Sequence, residues 1–265
     1  MEPGFPGEPP EDKTLAGMTG GVGVGTRGCR ASPSTKHRKY PNYGWRPTIK
    51  AARAEMFSFY SHFAGIITGL AGLIFLVIRA WGRADLVAVS LVYGFAMAGL
   101  FSFSSIYHFT KQAENASNIW RKLDHIAIFF MIAGTYTPVC YIFLTGTWRW
   151  GMIIASWSFV AAGIILKVFF IKAPRVLSTV LYLMMGWLAV IPLRLLWQNM
   201  PRQSFFLILA GGLAYSAGAI MYALKKPNPL PGRFGFHEIF HVMILIGAAL
   251  HYAVVYMAIG RVIGS

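Results

Sequence analysis

Long apolar segments separated by short polar ones dominate the chain after about residue 50. Each apolar segment is close to the ~20 residues that an α-helix needs to cross ~30 Å of hydrocarbon. The connections contain Gly, Pro, Lys or Arg, which are typical of turns and membrane edges. The pattern predicts an all-α, seven-transmembrane helix bundle over residues 51–265, with helices at about 57–79, 86–109, 123–144, 150–170, 176–198, 204–224 and 237–259.

Residues 1–50 differ in composition from the rest of the chain. They are rich in Gly and Pro, contain few apolar residues, and end in a group of basic residues. A segment of this composition buries too little apolar surface to offset the entropy lost on ordering. We therefore expect residues 1–50 to form a disordered basic tail, which is attracted to anionic headgroups beside the first helix.

Composition supports a membrane protein and argues against nucleic-acid binding. Of the 265 residues, 56% are hydrophobic and 12% are charged, whereas about 25% are charged in soluble proteins. The net charge is +15, but the basic residues are scattered between apolar segments and do not form one cluster. The two cysteines are Cys29 and Cys140, so a disulfide framework is not expected.

The distribution of basic residues predicts the orientation of the bundle. With seven crossings, the tail and the connections after helices 2, 4 and 6 lie on one side of the membrane. Together with the adjoining helix ends, they contain 18 Lys and Arg. The opposite side carries 6, and 9 remain on the first side when the tail is omitted. Because basic residues favour the cytoplasmic side, we expect the N-terminus in the cytoplasm and the C-terminus outside.

Three histidines fall at one end of the predicted bundle. His237 and His241 lie one turn apart on one face of the last helix, and His108 is near the end of the second. On the predicted topology all three share one membrane level, at the cytoplasmic side. Two imidazoles at i and i+4 form half of a tetrahedral zinc site, and a third leaves one position for water. The pattern predicts Zn²⁺ bound by His108, His237 and His241.

Asp124 and Ser104 are the candidate catalytic residues beside this site. Asp124 begins the third helix at the level of the histidines, where a carboxylate can orient a zinc-bound water and accept its proton. The alternative for Asp124 is an ion pair with Lys122 or Arg121. Ser104 precedes His108 by one turn, so its hydroxyl lies on the same face and can contact a bound water or carbonyl.

The other ionisable residues of the apolar segments each have two interpretations. His237 to His241 matches the His-Glu-x-x-His signature of zinc proteases, in which Glu238 would be the general base. The alternative is that Glu238 stabilises the N-terminus of its helix. His62 either lines the site or, as we favour, packs between helices. His251 lies ten residues beyond His241, about 15 Å deeper, so it lines a cavity or bonds another helix.

These motifs resemble the hemolysin III family, within the progestin and adipoQ receptor superfamily. The resemblance rests on Ser104-x-x-x-His108, Asp124 and His237-x-x-x-His241 in that order, and it covers about residues 55–259. The supporting stretches are Gly134–Pro138, Met185–Ala189, Gly211–Tyr215 and Phe236–His241.

The resemblance implies a seven-helix fold with a cytoplasmic N-terminus and zinc held by the three histidines. It also implies that Asp124 and Ser104 surround the zinc-bound water. The adiponectin-receptor branch is associated with hydrolysis of ceramide-type lipid amides, and a glutamine there at the position of Glu238 argues against an obligatory base. The bacterial branch is named for haemolytic activity and is linked to membrane homeostasis.

The expected function is hydrolysis of a lipid amide or ester by a ceramidase-like reaction, with membrane lipids as partners. The alternative is a non-catalytic receptor or membrane-homeostasis protein in which zinc ties helices 2 and 7 together. Three protein ligands favour catalysis, because structural zinc sites usually have four. Pore formation, which the haemolysin name suggests, would need a polar helix stripe that the sequence does not contain. The oligomeric state is not predicted.

Overall fold

The structure, a computed structural model, describes residues 49–111, 119–169, 175–231 and 234–264. The predicted tail lies outside the described residues, except for its last two positions, and so does Cys29. Regular structure within the described ranges is helical. The helices are Ile49–Arg79 (α1), Ala84–Thr110 (α2), Ile119–Phe143 (α3), Gly146–Phe169 (α4), Arg175–Gly186 (α5), Leu193–Asn199 (α6), Arg202–Leu224 (α7) and Phe236–Ile263 (α8).

The predicted membrane segments correspond to these helices. Among the described residues, six helices are long and apolar enough to cross a membrane, and the number is seven if α5 and α6 count as one bent span. The helix α1 begins at Ile49, well before the predicted position 57. Its first turns contain charged residues, which hydropathy excludes from a span although they can still be helical.

The single helix expected at residues 176–198 is broken in two. The helix α5 ends at Gly186, a 3-10 turn covers Trp187–Val190, and α6 begins at Leu193 after Pro192. The segment Val176–Val190, which contains most of α5 and the 3-10 turn, differs in direction from α6 by 55°. Proline has no N–H and its ring clashes with the preceding turn, so regular helix hydrogen bonding is interrupted there.

A tyrosine of α3 satisfies backbone groups at this break. The hydroxyl of Tyr136 donates to the carbonyl of Gly186 (2.9 Å) and accepts from the N–H of Ala189 (2.8 Å). Each unsatisfied backbone group costs several kcal/mol in hydrocarbon. Non-helical backbone at this depth therefore depends on a partner supplied by the protein itself.

The outer surface of the helices is apolar. Ile67, Ile74, Phe95 and Ile154 are all more than half exposed. Soluble monomers rarely expose large contiguous apolar patches. Lipid chains are the environment that matches such a surface, in agreement with a multi-pass integral membrane protein.

The packing order of the helices determines which chain segments meet. The helix α2 packs against both α1 and α3, and α8 packs against α7, α1 and α3. Successive spans run in opposite directions, so the start of α1, the end of α2, and the starts of α3 and α8 lie at one end of the bundle. The candidate residues of the sequence analysis lie at this end.

A glycine allows α1 and α2 to approach closely. A Cβ atom at Gly94 would lie 2.3 Å from Cδ1 of Leu73 on α1. Small residues are common at helix contacts in membranes, because close packing replaces the hydrophobic driving force that lipid does not provide.

The change Gly94→Ala is therefore expected to destabilise the protein by about 1–3 kcal/mol, because the added methyl group overpacks this contact. Thermal unfolding of the purified protein in detergent measures the effect. Gly151→Ala on α4 is the matched control, since apart from its chain neighbours and the backbone of its own helix no heavy atom lies within 4 Å of its Cβ position. Equal melting temperatures for the two variants would contradict the close approach.

Candidate metal centre

Three histidine side chains converge at the end of the bundle defined above. His108 lies in the last turn of α2, and His237 and His241 lie in the first two turns of α8. Nε2 of His237 is 3.3 Å from Nε2 of His108 and 3.2 Å from Nε2 of His241. His108 and His241 are buried and His237 is half-buried, so the cluster faces the interior of the bundle.

The spacing of these nitrogens fits a metal ion. Ligands at about 2.0–2.1 Å from a tetrahedral zinc ion lie about 3.3–3.4 Å from one another, close to the two short separations observed. The possible ligand atoms of all three histidines lie within 4.8 Å of one another. The sequence-predicted set of His108, His237 and His241 is therefore brought together in a form that could hold a metal ion.

A glutamate that the sequence analysis did not select contacts His108. Oε2 of Glu55, on α1, is 2.7 Å from Nδ1 of His108. A carboxylate is an acceptor, so Nδ1 carries the proton and the neutral ring keeps the Nε2 lone pair for the metal. The other carboxylate oxygen of Glu55 accepts a hydrogen bond from the Lys111 ammonium. Carboxylate–histidine–metal arrangements of this kind orient the ligand and raise its basicity.

Glu55 could not be found from hydropathy, because the predicted first helix began two residues after it. The available signal was positional. A helix that enters the bilayer at the level of the histidines places its first acidic residue near them, and Glu55 is the first acidic residue of α1.

The structure places Asp124 and Ser104 next to His108. Ser104 is buried one turn before His108 on α2. The Asp124 carboxylate, at the start of α3, accepts a hydrogen bond from the Ser104 hydroxyl and lies near the His108 ring. Its side chain is 16% exposed, and Oδ2 is 3.6 Å from Nδ1 of His125. Arg121 also acts on this carboxylate electrostatically, and the catalytic role of Asp124 stays a prediction.

His62 and Glu238 lie beside the histidine cluster. The ring of His62, buried on α1, has its centroid 4.0 Å from that of His241. The Glu238 carboxylate accepts a hydrogen bond of 2.7 Å from the N–H of Gly235, at the start of α8. This is the contact that the helix-terminus interpretation of Glu238 describes, and it directs the carboxylate toward the backbone.

An apolar cavity of about 180 Å³ lies inside the bundle, among α3, α5, α6, α7 and α8. Tyr182 and Phe240 belong to its lining. Phe240 directly precedes His241, and the Tyr182 hydroxyl donates to the carbonyl of His125 (3.1 Å), next to Asp124. The cavity therefore extends from the level of the histidine cluster into the membrane interior, where its lining also includes His251.

Comparison with known proteins identifies the family to which the chain is similar. The model of the family "Haemolysin-III related" matches residues 50–252. "Hemolysin-3" of Bacillus cereus is 36% identical over 200 residues, which cover 75% of this chain and 88% of that protein. "Hemolysin-3 homolog" of Bacillus subtilis (strain 168) is 34% identical over 199 residues, 74% of this chain and 90% of that protein.

More distant relatives carry receptor-type names. "Heptahelical transmembrane protein ADIPOR2" of Oryza sativa subsp. japonica is 34% identical over 160 residues, which cover 54% of this chain and 69% of that protein. "Monocyte to macrophage differentiation factor" of Homo sapiens is 23% identical over 229 residues, 85% of this chain and 91% of that protein. With the family match over most of the helical region, these similarities show that the chain belongs to the hemolysin III family of the progestin and adipoQ receptor superfamily.

Proposed function

We propose that the protein binds zinc through His108, His237 and His241 and hydrolyses lipid amides of the ceramide type. The observation that carries the proposal is the separation of 3.2–3.3 Å between neighbouring Nε2 atoms, beside a carboxylate and a hydroxyl. Zinc with three protein ligands keeps a position for water and substrate, where it polarises a carbonyl group and activates water.

The donor set favours zinc over harder cations. All three donors are imidazole nitrogens, whereas magnesium and calcium prefer oxygen ligands. Among the divalent ions that imidazole suits, zinc needs no particular geometry from the protein beyond a compact nitrogen triad.

Glu55→Gln is expected to weaken zinc binding by about 10–100-fold, because glutamine lacks the charge that fixes the His108 tautomer. Competition with a chromophoric chelator in detergent measures the affinity. The control is Asp85→Asn, the corresponding carboxylate-to-amide change at the opposite end of α2, where Asp85 bonds Arg83 and Tyr141. Zinc affinity as high in Glu55→Gln as in the control would refute the role of Glu55.

The residues of the chain supply the acid–base part of the reaction. Asp124 stands within interaction distance of Ser104 and His108, so it can hold the attacking water and accept its proton. The same carboxyl can then return the proton to the amide nitrogen as the C–N bond breaks, which leaves a fatty acid and an amine. The Ser104 hydroxyl orients the Asp124 carboxylate. The apolar cavity provides a volume for part of an acyl chain.

Asp124→Asn is expected to reduce fatty-acid release from ceramide by about 10²–10⁴-fold, because the amide cannot accept the proton. Zinc content should stay unchanged, since Asp124 is not among the three ligands. The measurement pairs metal analysis with mass spectrometry of the released fatty acid, in lipid nanodiscs, with Asp85→Asn as the matched control.

A receptor or membrane-homeostasis protein with a structural zinc is the second candidate function. The network that favours it runs from Lys111 through Glu55 to His108 and joins α1 to α2 beside α8. On this alternative, chelation of the metal lowers the melting temperature. Wild-type protein then releases no fatty acid, and Asp124→Asn behaves as wild type.

The histidine cluster is proposed to face the cytoplasm, on the basis of the 18 to 6 distribution of Lys and Arg. Alkaline phosphatase folds only outside the cytoplasm, so we expect activity when it is fused after residue 264 in a bacterial host. The same reporter inserted after Lys226, between α7 and α8, should be inactive. The reverse pattern would place the cluster outside.

A further inference from the structure

A lysine near the end of α4 is held against the neighbouring helix. Lys167 lies in the last turn of α4, and its ammonium donates a hydrogen bond of 2.5 Å to the hydroxyl of Ser178, in the first turn of α5. Ser178 is buried and Lys167 is half-buried. A lysine at a membrane edge usually extends toward water, whereas this contact keeps the ammonium at the place where α4 and α5 meet.

An arginine of α3 belongs to the same place in the fold. The helix α3 packs against both α4 and α5, and the positive charges of Arg121 and Lys167 act on each other. Lys172 and Arg175 follow Lys167 in the sequence within eight positions. We call Arg121, Lys167 and Ser178 the basic corner. It lies at the same end of the bundle as the histidine cluster, because α3 begins there and α4 ends there.

The basic corner has more positive charge than its own helices can balance. No Asp or Glu occurs between Asp124 and Glu238, so α4 and α5 contain no acidic residue. Within the described ranges, no carboxylate oxygen lies within 4.0 Å of the Lys167 ammonium. The nearby Asp124 carboxylate already interacts with Ser104 and His108. An anion from outside the protein would therefore lower the electrostatic free energy of the corner.

Apolar side chains at the same helix ends indicate which kind of anion fits. Ile165 and Val168 of α4 and Val180 of α5 are exposed, and in a membrane protein such side chains contact lipid. Basic pockets between transmembrane helices bind the headgroups of anionic lipids. A phospholipid brings its negative charge and its acyl chains to one place, whereas a free inorganic anion would use only the charge.

We propose that the basic corner binds the phosphate group of an anionic phospholipid. An ammonium has three donors, and Lys167 uses one of them for Ser178, so two remain for phosphate oxygens. The Arg121 guanidinium adds a second positive charge beside them. The acyl chains lie along Ile165, Val168 and Val180. A zwitterionic lipid has the same phosphate, but its own cationic group offsets the attraction. The proposal does not depend on the proposed hydrolysis.

The test compares two phospholipids that have the same acyl chains and different net charge. Native mass spectrometry of the purified wild-type protein in detergent measures the dissociation constants of phosphatidylglycerol and phosphatidylcholine for the first bound lipid. We expect phosphatidylglycerol to bind more tightly by about fivefold or more, which is the effect of one lysine near anionic lipid. Inorganic phosphate at the same concentration should not displace phosphatidylglycerol, because it lacks the acyl chains.

A photoactivatable lipid locates the bound molecule. Phosphatidylglycerol with a diazirine in one acyl chain is added to the protein in nanodiscs of phosphatidylcholine, and labelled peptides are identified by mass spectrometry. We expect labelling at residues 165–169 and 176–180, which unlabelled phosphatidylglycerol suppresses more strongly than additional phosphatidylcholine does.

Variants then assign the preference to side chains. Lys167→Gln should remove most of the preference for phosphatidylglycerol, because the side chain becomes neutral. Lys226→Gln should retain it, since Lys226 is an exposed lysine at the same end of the bundle, between α7 and α8. Ser178→Ala keeps the charge of Lys167 but removes its anchor, so we expect a partial loss. Melting temperature and circular dichroism check that each variant is folded.

Four results would overturn the proposal. Equal dissociation constants of the two lipids in the wild-type protein would do so without any variant. An equal loss of preference in Lys167→Gln and Lys226→Gln would indicate general attraction to the basic surface. Displacement of the lipid by inorganic phosphate would identify a site for free anions. Labelling confined to other helices would place the lipid elsewhere.

Discussion

The structure depends on one constraint, which is that backbone polar groups inside the bilayer must be satisfied by the protein. Long helices meet it within each segment, and this is why apolar segments of the sequence become α2, α3, α7 and α8 almost unchanged. The exception is the break between α5 and α6, where Tyr136 uses its hydroxyl as donor and acceptor at once. A single side chain from another helix thus allows an irregular backbone at membrane depth.

The same constraint explains where the histidine cluster lies. Charged and strongly polar groups are least costly near helix ends, and the ends of α1, α2, α3 and α8 meet at one level. The helices α1, α2 and α3 contribute one residue each, which are Glu55, His108 and Asp124. The helix α8 contributes both His237 and His241. Assembly of the cluster therefore requires the correct packing of four spans, which makes it a consequence of the complete fold.

The sequence was sufficient for the parts of this arrangement that are local. Hydropathy located the spans. The i, i+4 spacing of His237 and His241 and the alternating direction of successive helices predicted that both residues lie close to His108. Pro192 is a local signal for the break after Gly186, but Pro138 lies inside the unbroken α3, so a proline alone does not locate a break. The partner that satisfies the broken backbone, Tyr136, is fifty residues from Gly186 in sequence, and local patterns do not reveal it. Glu55 was missed for a related reason, since its function depends on contact with α2 and its own surroundings resemble an ordinary helix start.

The contact between Glu55 and Lys111 has a further consequence for the protonation of the cluster. Their side chains are 24% and 13% exposed, so this ion pair lies at the rim of the bundle, where dissolved ions and lipid headgroups reach it. It is nevertheless the pair that decides which nitrogen of the buried His108 ring carries the proton. The membrane surface is thereby connected to the proposed zinc site beneath it, so we expect ionic strength and headgroup charge to change the zinc affinity proposed above.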